Sequence, residues 1–342
     1  MDNWERFKRT VRREKTDHVP TVLIGTSRFF ASISGFELSD VLHRPDLMLA
    51  AQKRTFELLP EVTFIPGAWP DYGVAILSAY GCRIFWAENG MPQVRGEIIH
   101  NSDDLKSLEI PNPETDGLMP HYLHTLRMFL KDEALIDNLH FTWSFGPGEM
   151  ASYFCGVSQL FTGFIVDKHL AHGVLEKATD GIITWVRAQL DINPHAEGLL
   201  LTDDISGMVS KAHYEEFIFP CHARIREAFP DLVIVFHNDA KSDHILESIG
   251  NTGFDVFNFG KTTDINKCRD LISERICLMG NVDPLELMIN GSVQEVSGKA
   301  HECLALFSNK TGYMLSVGGG LNQGIPVENV RALVEAAKEY GA

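Results

Sequence analysis

Along the second half of the chain two patterns alternate. Short runs of leucine, β-branched and aromatic residues end in polar residues or glycine, and each is followed by a stretch with helical spacing. The apolar runs are GLLLTDD (198–204), VIVFHND (233–239), FDVFNFG (254–260), ICLMGNVDP (276–284) and YMLSVGGG (313–320). Helices are predicted over 212–229, 242–250, 263–273, 292–308 and 326–341, the last opened by Pro326 and closed by Gly341. Upstream, HVPTVLIG (18–25), VTFIPG (62–67) and HFTWSFGP (140–147) add three strand-like runs. Parallel strands alternating with helices predict an α/β fold, and eight of them predict a closed (β/α)₈ TIM barrel. An open doubly wound sheet is the alternative.

Residues 80–100 depart from this rhythm. Two short alternating runs flank a Gly–Met–Pro turn, which predicts a small β-hairpin insertion. Pro111, Pro113 and Gly117 mark a loop before a helix predicted over 120–132. No repeat or linker divides the chain, so 1–342 reads as one domain.

Composition narrows the function classes. Acidic residues outnumber basic ones by 46 to 30, a net charge of −16. Such a surface repels phosphate backbones, so nucleic acid is not expected as a partner. No apolar run reaches the roughly 18 residues of a membrane span. The charged N-terminus lacks the apolar region of a secretory signal. The six cysteines form no CxxC pair, which fits reduced, buried thiols in a cytoplasmic protein.

In a barrel the chemistry sits at the C-terminal ends of the strands. Here those ends carry Asp203 and Asp204, then His237, Asn238 and Asp239, then Asn258, Asn281 and Asp283, then Gly318 to Gly320. Packing does not require them there, although helix capping and loop hydrogen bonds use the same residue types. His237 and Asp239 are two apart on a strand and share a face. An imidazole and a carboxylate converging at the mouth suit a divalent metal, zinc in particular. Glu216, early in the predicted helix 212–229, is a candidate third ligand, and Asp203 or Asp204 a fourth. These assignments make His237, Asp239 and Glu216 the candidate catalytic group, with Asp204 joining them as a metal ligand. Aromatic residues crowd the same region, among them Phe29, Phe30, Trp69, Tyr72, Trp143, Phe145 and Phe236. Many of these belong to a core, but Trp69 and Tyr72 fall in PGAWPDYG, a loop after a strand, where a flat ligand is welcome. Arg28, in GTSRFF after the first strand, is either an ion-pair partner or an anchor for an anionic group. The candidate substrate-binding set is Arg28, Phe30, Trp69, Tyr72, Phe145, Asp203 and Asn281.

LLLTDDISG, HYEEFIFPCHARI, MGNVDPLELMINGS (279–292) and GGGLNQGIPVENVRALVEAA (318–337) together resemble the uroporphyrinogen decarboxylase superfamily. The resemblance implies a TIM barrel. It also separates two branches. The decarboxylases carry an arginine-rich loop after the first strand and a histidine in the last strand–helix loop. Here GTSRFF keeps only Arg28, and GGGLNQGIP has no histidine, so too few cations remain for a substrate with eight carboxylates. The other branch contains methyltransferases that work with a separate corrinoid protein. Those that methylate coenzyme M resemble one another in a His-x-Cys pair and a cysteine in the last loop; this chain reads His237-x-Asp239 and SVGGG instead. It is more similar to the methyltransferase components of O-demethylases, whose zinc ligands are spaced Glu, fourteen residues, Glu, twenty residues, His. Glu216 and His237 match the second half of that spacing. At the first position stands Leu201, with Asp203 two residues on. The resemblance implies zinc, a corrinoid carried by a partner protein and a small methoxylated substrate. Methanol, a methylamine, and a barrel that docks a corrinoid protein without chemistry of its own are the competing readings.

Overall fold

The computed structural model describes residues 1–88, 90–307 and 311–340. Within them the strands in chain order are β1 (Val22–Ile24), β2 (Thr63–Ile65), β3 (Ile84–Phe85), β4 (Gln93–Val94), β5 (Phe141–Phe145), β6 (Gly198–Thr202), β7 (Val233–Asn238), β8 (Val256–Phe259), β9 (Cys277–Val282) and β10 (Tyr313–Val317). β5 to β10 form a parallel ladder in sequence order, and β1 pairs in parallel with β2. Bridges from Thr21 to Leu315 and from Ile24 to Gly320 join β1 to β10. The eight parallel strands make the expected TIM barrel. Between β2 and β5 no ladder forms among the described residues. There the Ala68 amide donates to the Asn138 carbonyl at 2.7 Å. Gly67 permits this approach, because its φ is 91° and a Cβ on it would lie 1.9 Å from that carbonyl oxygen.

β3 and β4 pair antiparallel, Ile84 opposite Val94, so the insertion expected over 80–100 is a hairpin. The last helix runs Val327–Glu339 after Pro326, and the helix expected over 292–308 runs Val293–Ala305 behind a Ser292–Glu295 capping box. Gly341 and Ser308, the expected ends of these two helices, lie outside the described residues. Between β5 and β6, where the pattern predicts no element, the chain forms helices Pro147–Cys155, Val157–Val166 and Lys168–Ile192. The stretch expected as one helix over 212–229 is divided. Lys211–His213 leads into a π-helical turn, Tyr214–Ile218, and then helix Phe219–Ala228. Pro220 explains the break, since it has no amide hydrogen to return to the Glu216 carbonyl.

Alternation along each strand decides what faces the barrel axis. Phe236 packs outward on His222 and Phe254, so its neighbour His237 points inward. All six cysteines are free and buried. Among the described residues no helix is long and apolar enough to cross a membrane.

Candidate active site at the barrel mouth

Ladder register aligns Thr202, His237 and Asn258 across β6, β7 and β8. His237, only 7% exposed, has its Nδ1 2.6 Å from Asn258 Oδ1. The Asn258 amide nitrogen donates to the carbonyls of Met279 and Val317, which fixes its oxygen toward the imidazole. An acceptor at Nδ1 places the ring proton there and leaves the Nε2 lone pair facing the mouth. Asp239 Oδ1 lies 3.7 Å from Nε2, and the Asp239 amide donates to Asp204 Oδ1 at 2.6 Å. One ligand atom each from Asp204, His237 and Asp239 lies within 4.8 Å of the others.

This group has company that its sequence did not disclose. Glu149, in the first turn of helix Pro147–Cys155, has its carboxyl held well above the usual carboxylate range. Burial is the main cause, followed by the charges of Asp204 and Asp203. Asp239 is also raised, by burial first and by Asp204, against an opposing pull from His237. Among the described residues no Lys or Arg pairs with Glu149, Asp204 or Asp239. Two carboxyl groups and one imidazole converging without a Lys or Arg partner among the described residues, with the buried Glu149 carboxyl beside Asp204, could hold a divalent metal. Gly319 makes room for Asp239: its φ is 130°, and a Cβ on it would lie 2.9 Å from both Asp239 carboxylate oxygens.

Other expected site residues are placed elsewhere. Glu216 does not join the Asp204–His237–Asp239 group. Tyr214, Phe217 and Ile218 turn the π-helical segment's apolar face inward, and Glu216 stays on the outer face, where Lys168 Nζ holds it at 2.6 and 2.9 Å. Asp203 is wholly buried in the wall, not in the mouth. Its two oxygens accept from the Gly148 and Glu149 amides at 2.9 Å, and Oδ2 lies 3.4 Å from His222 Nε2. Asp203 and Asp204 part because successive side chains at a strand end alternate. Phe30 is core, packed edge-on to Phe56 and Phe64. Asn281 spends its amide on the Gly260 and Thr263 carbonyls.

The aromatic candidates do assemble. Trp69 lies 5.4 Å from Trp143, Trp143 4.7 Å from Phe145, and Phe145 5.4 Å from Tyr153, a continuous wall from the loop after β2 to helix Pro147–Cys155. Trp69 is fixed by donating from Nε1 to the Gly25 carbonyl. Tyr72 is buried, its ring 4.9 Å from that of His121. Arg28 is exposed in the first turn of helix Ser27–Ser34 and makes no ion pair among the described residues.

Below Arg28 sits Asp71, which sequence reasoning passed over within PGAWPDYG. It is 4% exposed, accepts from the Ser27 amide at 2.7 Å, and burial pushes its carboxyl up to about 6. A carboxyl raised on folding favours the folded state only while protonated. Stability should therefore fall as pH rises from about 4 through about 6, by up to about 3 kcal/mol. In Asp71→Asn that part of the pH dependence should vanish in denaturation curves at about pH 4 and 7. An unchanged pH profile would refute the assignment.

Comparison with known proteins places the chain in a family. A methylated-thiol--coenzyme M methyltransferase of Methanosarcina mazei is 26% identical over 281 residues, 82% of this chain and 74% of the relative. A uroporphyrinogen decarboxylase of Actinobacillus succinogenes is 25% identical, covering 98% of this chain and 97% of the relative. A solved methyltransferase from Methanosarcina mazei superposes with a TM-score of 0.85 over 98% of both chains at 21% identity, a likeness of fold. The sequence profile described as "Uroporphyrinogen decarboxylase (URO-D)" matches residues 2–340, and the chain belongs to that family.

Proposed function

We propose that this protein moves a methyl group from a methoxylated aromatic compound to the cobalt of a separate corrinoid protein, with zinc held at the mouth. The observation that carries the reading is the Asp204–His237–Asp239 group, one nitrogen and two oxygens with no thiolate, set in a mouth that also holds an aromatic wall. Thiolate ligands suit activation of a thiol, whereas this oxygen-rich set leaves a metal more electrophilic. Asp204, His237 and Asp239 would hold the zinc, and zinc so held would supply Lewis acidity toward an ether oxygen. Asn258 keeps His237 in the metal-binding tautomer, and Trp69, Trp143 and Phe145 hold the ring. In the transfer the carbon–oxygen bonding pair leaves with the oxygen, and cobalt(I) gives its own pair to the methyl carbon. A decarboxylase of a polycarboxylate needs several cations, and among the described residues Arg28 is the one unpaired cation near the first strand's exit.

The test is incubation of the zinc-loaded protein with reduced corrinoid protein and a panel of methoxylated aromatics, followed by the absorbance change of cobalt methylation. Methylation from aryl ethers is expected. Methylation from methanol or methylamine alone would move the donor class, and no methylation from any donor would sink the reading. Raised ionic strength should slow the reaction, because an acidic surface steers its partner through screened charge.

Ring packing is mostly uniform binding, felt equally by substrate and transition state. Trp69→Ala should accordingly raise KM by about tenfold, the ~1.4 kcal/mol expected for part of an aromatic contact, and change kcat less. An unaltered KM across every active aromatic donor would remove Trp69 from the pocket.

A further inference from the structure

One buried network takes no part in the chemistry above. Asp203 and His222 are both wholly buried, in the wall between β6 and helix Phe219–Ala228. Tyr214, also buried, has its hydroxyl 3.1 Å from His222 Nδ1. Since Asp203 accepts and cannot donate, His222 Nε2 carries the proton toward it, and Nδ1 accepts from Tyr214. The chain of donors ends at the Asp203 carboxylate. That carboxylate also receives the Gly148 and Glu149 amides, the first turn of the helix that carries Glu149. No room is spare: a Cβ on Gly148 would lie 2.7 Å from Asp203 Oδ1, and one on Gly146 2.5 Å from the Asp203 Cβ. The next residue, Asp204, faces the mouth and accepts from the Asp239 amide. Adjacent carboxylates thus tie down the two sides of the site from one strand end.

We propose that Tyr214, His222 and Asp203 form a buried positioning relay that sets where Glu149 stands relative to the Asp204–His237–Asp239 group. The inference rests on reading that group as a metal site, with Glu149 contributing to the metal's hold. A capping carboxylate alone would satisfy the helix end. His222 is what orients the carboxylate, because its remaining Oδ2 contact fixes the plane in which the two amides are met. His222 and Tyr214 touch no reacting atom and act only through Asp203.

Two variants separate positioning from bulk. His222→Phe keeps a ring but removes both hydrogen bonds. His222→Gln keeps a donor near the Nε2 position. Amide hydrogen exchange in the metal-free protein reads the relay directly. Protection of Gly148 and Glu149 should fall about tenfold in His222→Phe, the exchange equivalent of losing one hydrogen-bonded anchor, and recover in His222→Gln. Cobalt(II) affinity, followed by its visible spectrum, reads the consequence. His222→Phe should weaken it roughly 10- to 100-fold, as removal of outer partners of a metal site does. That loss should disappear in a Glu149→Gln background, where a merely structural defect would persist. Unchanged exchange in His222→Phe overturns the relay. Lost protection with wild-type cobalt affinity, or a loss of affinity that persists without Glu149, overturns its control of the site. If the wild-type protein fails to bind cobalt(II), or His237→Ala binds it equally, the metal reading has failed instead, and the exchange experiment alone decides the relay.

Discussion

His237→Ala is expected to abolish metal binding and methyl transfer together while the barrel stays folded. The imidazole is the one nitrogen in a set otherwise made of Asp204 and Asp239, and burial together with the charge of Asp204 holds Asp239 above the usual carboxylate range. Without it Asp204 and Asp239 face each other with no compensating partner, and the favourable pull of His237 on Asp239 is gone. Loss of a Lewis acid worth about 4 kcal/mol of transition-state stabilisation lowers kcat/KM on the order of a thousandfold. Stability should fall by about 1 to 3 kcal/mol, because the buried Asn258 Oδ1 loses its single partner. Asn258→Leu provides the companion measurement. It leaves all three ligands present but frees the imidazole to rotate or change tautomer, so metal affinity should drop roughly 10- to 100-fold. A His237→Ala protein that retains metal and activity would show that the mouth group is not the site.

The barrel was legible because its strands are short apolar runs with polar ends, and the same polar ends marked the mouth. His237 and Asp239 were legible for a geometric reason: two residues apart on a strand is one face. Asp203 and Asp204 could not be told apart by residue type. Their roles diverge only because one turns into the wall and meets His222 while the other turns into the mouth. Glu216 was drawn in by its spacing from His237, but spacing along a helix does not fix the face. Pro220 and the inward Tyr214, Phe217 and Ile218 put it on the solvent side beside Lys168.

Glu149 was missed because its segment shows no clean helical period. Glycines at 146, 148 and 156 and an uncharged helix over Val157–Val166 blur the amphipathic signal. A usable cue was present. Gly–Pro–Gly–Glu directly follows the apolar run of β5, and a proline at the first helical position puts the glutamate in the first turn, at the C-terminal end of a barrel strand. Trp143 and Phe145 are two apart on β5 and so share the inward face with the site, while Phe30, on a helix outside the barrel, packs against Phe56 and Phe64. Aromatic content alone does not distinguish these positions; strand phase does.

The adjacent aspartates should give opposite results, and the contrast is the sharper test of this layout. Asp203→Ala removes an acceptor from the Gly148 and Glu149 amides and from His222, and all three donors remain in a wall that water does not reach. Stranding a buried partner costs more than the bond itself contributes, so unfolding free energy should fall by about 3 to 5 kcal/mol. Asp204→Ala removes one contact to the Asp239 amide at a partly open site, and it also removes a charge that works against Glu149 and Asp239. These effects oppose each other, and stability should change by less than about 1 kcal/mol. Activity runs the other way: Asp204→Ala loses one of the proposed metal ligands and should be the more damaged catalyst when both proteins are assayed folded, at low temperature and with saturating zinc. Chemical denaturation and metal-dependent cobalt methylation measured on the same two preparations decide the matter. Equal destabilisation by the two substitutions would mean that Asp203 is not the buried anchor, and equal metal affinity would mean that Asp204 is not a ligand.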